Sequence, residues 1–182
     1  MASLPDFNDC AESSETAPSR GRIFLVGMNH KTAPVSLREC IAFSDDETAD
    51  ALAHFRAHPQ VREVVLLSTC NRVEILMATD DLEGAKTAAK SYLSKSKKLP
   101  LEQFEPALYS YQDDQAVRHV FRVAASLDSM MVGEPQILGQ VKEAYLAATE
   151  QKTSGVLLNR LLHRAFFVAK RVRSETGIGD HA

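Results

Sequence analysis

The stretch VVLLSTCNRVEILM, residues 64–77, constrains the fold more than any other. An apolar run through Val64, Val65, Leu66 and Leu67 reaches a short polar segment, after which Val73, Ile75 and Met77 alternate with other residues. A continuous apolar run followed by period-two alternation predicts strand, tight turn, strand, with the polar segment at a sheet rim. That rim holds Cys70, flanked by Thr69 and Asn71 and followed by Arg72. Rigid scaffolds present chemistry on such loops, whereas a lone cysteine is more often buried and inert. A thiol acts through its thiolate, with a pKa of ~8.5 when free, so a nearby cation such as Arg72 would raise the reactive fraction. On alternating geometry Cys70 and Arg72 point the same way, and Arg72 is then either a fork for a carboxylate or a surface side chain. Thr69 and Asn71 offer hydrogen bonds to a carbonyl oxygen.

The other elements fall in order around this hairpin. Residues Met1 to Arg20 are Ser-, Glu-, Ala- and Pro-rich and predict a disordered lead-in. IFLVGMNH predicts a first strand, Pro34 a turn, and Val35 to Ile41 a short helix with Ser36 as its cap. Ser44 with Glu47 matches a capping box, opening a helix whose core-facing stripe is Ala49, Leu52, Ala53 and Phe55. Asp80 and Asp81 suit the start of a helix from Leu82 to about Lys95, Pro100 and Pro106 mark a loop, and ALYSYQ predicts a fourth strand. Asp113 or Asp114 then caps a helix running to about Ser126. The order βαββαβ predicts an α+β, ferredoxin-like antiparallel sheet with helices on one face. Beyond Ser129 the pattern is helical. Gly133, Glu134 and Pro135 open one helix, in which Gln136 and Gln140 share a face, and another runs from Val156 to about Thr176. The latter carries Arg160, Arg164, Lys170, Arg171 and Arg173, either a solvated face or a stripe for nucleic-acid phosphates.

A net charge of −3 excludes nucleic-acid binding by bulk attraction and leaves local basic patches open. Cysteines at 10, 40 and 70 have neither disulfide nor metal-ligand spacing. Their odd number, with no signal-like segment and no bilayer-length apolar run, predicts a soluble, cytoplasmic protein with no membrane association. No GxGxxG follows a strand, and Walker, CxxC and HExxH patterns do not occur, so this stretch of chain predicts neither a dinucleotide site nor a metal site. His30 and His119 lie where a sheet-end site is within reach. For His119 a packing or capping role stands beside a catalytic one.

Several segments resemble one family closely, the glutamyl-tRNA reductases. They are VGMNHKTAPVSLRE (26–39), LSTCNRVEI (67–75), ASLDSMMVGEPQILGQVKEAY (125–145) and AKRVRSETGIG (169–179), in that family's order. The resemblance implies a catalytic N-terminal unit over 22–153 after a 1–21 extension. Additional helices follow the sheet, and the start of a long connecting helix occupies 154–182. By motif, Cys70 is the nucleophile, with Thr69, Asn71 and Arg72 beside the substrate. Ser129, Glu134, Pro135, Gln136 and Gln140 bind glutamate, and His119 is the activity-sensitive histidine. Implied is attack of Cys70 on glutamyl-tRNA to give a thioester, which NADPH, bound by a domain outside this chain, reduces to glutamate 1-semialdehyde for tetrapyrrole synthesis. Implied partners are glutamyl-tRNA, glutamate-1-semialdehyde aminomutase and a second copy in a homodimer. The alternatives are a non-catalytic tRNA-binding or regulatory module and a Cys/His esterase.

Overall fold

The computed structural model describes residues 21–179, so the stretch up to Arg20, with Cys10, and also His181 lie outside the described residues. The hairpin forms as β2 (Glu63–Ser68) and β3 (Arg72–Thr79), in antiparallel register from Ser68↔Val73 to Glu63↔Ala78. β1 (Arg22–Asn29) pairs along the other edge of β3, from Arg22↔Thr79 to Asn29↔Arg72. β4 (Tyr109–Gln112) closes the outer side of β1. The order β2-β3-β1-β4 inserts β3 antiparallel between β1 and β2, the split βαβ arrangement that the element order predicts.

Helices α2 (Asp45–Arg56) and α3 (Leu82–Lys97) pack together through Phe55 and Tyr92, whose rings lie 5.0 Å apart. With the short α1 (Val35–Ile41) they cover the sheet face carrying Phe24, Val26, Met28, Val73, Ile75 and Met77. The additional helices α5 (Asp113–Ala124), α6 (Gln136–Glu150) and α7 (Val156–Glu175) lie over the opposite face, against Leu25, Val65, Leu67 and Leu76. A short α4 (Leu101–Phe104) and a 3-10 turn, Glu105–Ala107, occupy the expected Pro100–Pro106 loop and bury Phe104. Cover on both faces is why β3 is buried along its whole length. Each such buried Phe, Leu, Ile or Met contributes roughly 1.5–3 kcal/mol.

Local signals hold where they rest on side-chain chemistry. Ser44 and Glu47 form the reciprocal capping box, and Asp81 receives the N–H of Gly84 at 2.9 Å. Four expectations are corrected. Pro34, not Ser36, stands at the N-cap of α1, and no side chain caps it. The stripe of α2 is Ala51, Leu52 and Phe55, because the 3.6-residue period turns Ala53 to solvent. Asp113, in a positive-φ backbone at 44°, caps nothing; it accepts Arg22 Nη2 at 2.5 Å and the Ile23 N–H at 3.2 Å, tying β1 to the start of α5. Gly133 and Glu134 lie in a loop, and α6 begins only at Gln136, with Pro135 in the N-cap position.

α7 packs on α5 and α6 through Leu158, Leu161, Leu162, Ala165 and Ala169. Its first turn is capped from β2: the Glu63 carboxylate accepts N–H groups of Gly155 at 3.1 Å, Leu157 at 3.0 Å and Leu158 at 2.7 Å. Among the described residues no helix is long and apolar enough to cross a membrane.

Candidate active site

The turn between β2 and β3 is fixed from three directions. Thr69 donates its N–H to the Arg72 carbonyl at 2.8 Å, and Thr69 Oγ1 accepts the N–H of Asn71 at 3.2 Å and of Arg72 at 3.1 Å. From the end of β1, His30 N–H donates to the Asn71 carbonyl at 3.0 Å. From α1, Arg38 Nη1 donates to the Cys70 carbonyl at 2.7 Å and to Asn71 Oδ1 at 3.3 Å. Cys70 itself stands exposed at the tip, and nothing among the described residues hydrogen-bonds its sulfur. It borders a hollow of about 260 Å³ lined also by Val35, Arg38, Glu39, Ala42, Asn71 and Met130. The cation serving this turn is therefore Arg38, which the sequence reading did not single out. The available signal was an arginine on a helix of only two turns, placed directly after the first strand's turn.

Arg72 and His119 meet elsewhere, around Glu74. Arg72 is 1% exposed and donates Nη1 to Glu74 Oε1 at 2.9 Å and Nη2 to the Asp128 carbonyl at 2.5 Å. Glu74 Oε1 also accepts Tyr109 OH at 2.5 Å and faces His119 Nε2 at 2.7 Å. The His119 ring lies against Tyr111 at 4.8 Å and Tyr109 at 5.5 Å. Gly27, opposite Glu74 in the β1–β3 register, makes the room: a Cβ there would stand 2.8 Å from Glu74 Cγ. Burial pushes the Glu74 carboxyl up, but the His119 hydrogen bond and the Arg72 charge outweigh it and hold it below the usual range. Asp128 behaves alike: burial raises it, and Lys31 at 2.5 Å with Arg72 brings it lower. Burial and the Glu74 charge push the Tyr109 phenol far up, so it serves as a donor.

The remaining sequence candidates are spread around these two centres. Ser129 is 6% exposed, and its Oγ has no partner; Arg72 Nε is buried and unpartnered too. Glu134 is half-buried and engaged through its carbonyl, while Pro135 and Gln136 are exposed. Gln140 lines a second hollow of about 190 Å³ with Phe43, Leu66 and Ser68. Ser68 Oγ accepts the Phe43 N–H at 2.9 Å, so the end of β2 divides this hollow from the Cys70 side. On α7, Arg160, Arg164 and Lys170 are exposed, Arg171 pairs with Glu175 at 2.7 Å, and Arg173 turns inward.

A family model described as glutamyl-tRNAGlu reductase, N-terminal domain, matches residues 26–176. The chain belongs to that family. Glutamyl-tRNA reductase of Desulfatibacillum aliphaticivorans is 58% identical over 160 residues, covering 88% of this chain and 37% of the relative. That of Geobacter sulfurreducens is 52% identical with the same coverage of 88% and 37%. The solved structure of glutamyl-tRNA reductase from Methanopyrus kandleri superposes with a TM-score of 0.65 at 35% identity, over 85% of this chain and 35% of that one. The chain thus spans little more than a third of the length of these glutamyl-tRNA reductases. Within the glutamyl-tRNA reductase domain described here, the residues do not fit a nicotinamide dinucleotide. The sheet is antiparallel, and no described strand passes through a glycine-rich turn into a helix N-terminus that would cradle a pyrophosphate.

Proposed function

We propose that this chain is the part of a glutamyl-tRNA reductase that takes the glutamyl group from glutamyl-tRNA onto Cys70. The observation that carries this reading is an exposed thiol on a turn whose backbone is held by Thr69, Arg38 and His30, beside a hollow of about 260 Å³. A nucleophile fixed in place needs little reorganisation when the acyl carbon arrives. In the step itself the Cys70 sulfur bonds the glutamyl carbonyl carbon and the ester C–O bond breaks. The tRNA hydroxyl leaves with the proton that the thiol gave up, and the glutamyl group remains as a thioester.

Thr69 and Asn71 hold the turn, and Ser129, Glu134, Pro135, Gln136 and Gln140 orient the glutamyl group, with Glu134 answering its ammonium. Two buried donors without partners, Arg72 Nε and Ser129 Oγ, support a polar ligand between the Cys70 hollow and the Glu74 network. Arg72, whose Nη1 and Nη2 are held by Glu74 and the Asp128 carbonyl, has Nε left for the substrate carboxylate, and His119, braced by Glu74, orders the surroundings of the thioester. The Glu74 partnership also weighs against a Cys/His dyad, because it directs the His119 Nε2 to a carboxylate rather than to sulfur. Reduction by NADPH to glutamate 1-semialdehyde, homodimerisation and hand-over to glutamate-1-semialdehyde aminomutase go with the two thirds of such proteins outside this chain. Residues 22–153 form the catalytic unit, and 154–182 begin the connection to that remainder.

The test is the fate of glutamyl-tRNA mixed with this chain. Release of deacylated tRNA in one burst, equal to the amount of protein and followed by slow glutamate release, is the expected result. Binding with no release of tRNA marks a non-catalytic module, and rapid multiple-turnover release of glutamate marks a hydrolase; either refutes the reading.

A further inference from the structure

The loop joining α5 to α6 doubles back on itself. Gly133 N–H donates to the Ser126 carbonyl at 3.1 Å, and Ser126 Oγ donates to the Glu134 carbonyl at 2.7 Å. Both Ser126, at φ 63°, and Gly133, at φ 93°, adopt the left-handed region that such a reversal requires. Between them lie Asp128, whose carbonyl receives Arg72, Ser129 with its unpartnered buried hydroxyl, and Met130 on the wall of the Cys70 hollow. One side of the loop is therefore tied to β3 through Arg72 and to the turn after β1 through the Lys31–Asp128 pair at 2.5 Å.

The other side is tied to the last turns of α7. Arg173 Nη2 donates to Ser126 Oγ at 2.8 Å and to the Glu134 carbonyl at 2.5 Å. Just beyond α7 the Ile178 carbonyl sits against Gly133, in the space that a Cβ would fill. An arginine in the last turn of a helix ordinarily faces water and complements the helix dipole. This one is turned inward, bonds the two residues that close the loop, and leaves its Nε buried without a partner.

We propose that Arg173 is a positioning residue for the Cys70 site. By clamping Ser126 to the Glu134 carbonyl, its guanidinium sets where Ser129 and Met130 stand relative to Cys70. It does so from the end of the helix by which the chain leaves the sheet, so a pull on that end reaches the substrate loop. The proposal rests on reading Cys70 as the acyl acceptor. Arg173 touches no reacting atom; its influence passes through the loop, and it acts on substrate fit more than on the thiol.

Two readouts test this in the chain as it stands. The first is amide exchange. Arg173→Gln is expected to speed exchange over residues 126–134 by on the order of tenfold while β1 and β3 keep their protection, with Arg173→Lys between it and the wild type. The second is acylation of Cys70 by glutamyl-tRNA. The half-saturating concentration is expected to rise by on the order of tenfold, and the rate at saturation to fall less, because the turn holding Cys70 is untouched. Gly133→Ala forces the same loop away from Ile178 with Arg173 intact, and is expected to raise the half-saturating concentration likewise. Unchanged exchange in the loop overturns the proposal, as does loosening of loop and strands together with acylation parameters that follow only the loss of stability. If the wild-type chain takes up no glutamyl group, the reading of Cys70 is what has failed, and the clamp then stands or falls on exchange alone.

Discussion

Replacing Glu74 by Gln isolates the charge at the centre of the buried network, since shape and one carbonyl acceptor survive. In the wild type Glu74 Oε1 serves Arg72 at 2.9 Å, Tyr109 at 2.5 Å and His119 at 2.7 Å. Without the charge, Arg72, 1% exposed, keeps one carboxylate, that of Asp128 at 3.6 Å, beside the neutral amide oxygen at position 74 and the Asp128 carbonyl. Breaking a buried ion pair from one side costs roughly 3–5 kcal/mol, and the surviving Asp128 contact places this case at about 3 kcal/mol. For a domain of this size each kcal/mol moves the melting temperature by roughly 2–4 °C, so Glu74→Gln is expected to melt about 6–12 °C lower at neutral pH. The pH dependence has a definite sign. Because Glu74 is held below its ordinary value of 4.5, its contribution is complete above that value and is lost as pH falls through the lower folded value. The gap between wild type and variant is therefore expected to narrow below about pH 4.5. Asp128 titrates in both proteins and so drops out of the difference to first order. Thermal melts followed by circular dichroism at successive pH values decide it. A shift under about 2 °C at neutral pH, or a gap that does not change with acidification, refutes the assigned role.

Two further outcomes follow from the same geometry. Glu63→Gln weakens the acceptor for three backbone N–H groups at the start of α7, and is expected to cost about 1 kcal/mol, read as a lower urea midpoint. Arg38→Gln removes the hydrogen bonds to the Cys70 carbonyl and to Asn71 Oδ1. Single-turnover acylation by glutamyl-tRNA is expected to slow by about tenfold or more, with faster exchange of the Asn71 and Arg72 amides.

What the sequence made legible was what is decided locally. The hairpin at residues 64–77, the Ser44–Glu47 capping box and the extent of α7 each rest on neighbouring residues, and all three stand in the structure. The direction of Arg72 was not legible, because strand alternation lapses where Cys70 and Asn71 form the turn; Arg72, the first residue of β3, faces Glu74 instead. Glu74 and Asp128 were missed for a related reason. Each looks like an ordinary polar residue until the β1–β3 register sets Gly27 opposite Glu74, and the α5–α6 loop brings the Asp128 carbonyl to Arg72. Arg38 likewise acquires meaning only when α1 folds beneath the hairpin turn. Ser129, Glu134, Gln136 and Gln140 entered through family resemblance, and no periodicity would have found them. The structure divides them between the loop, an exposed helix start and the hollow behind Ser68.

The central claim is that Cys70 accepts the glutamyl group, and the most direct measurement is the mass of the Cys70 peptide after quenching a mixture with glutamyl-tRNA in acid. The expected result is a glutamyl group on that peptide, released by neutral hydroxylamine as a thioester must be and missing from Cys70→Ser. An unmodified Cys70 peptide alongside deacylated tRNA, or an adduct that persists in Cys70→Ser, contradicts it.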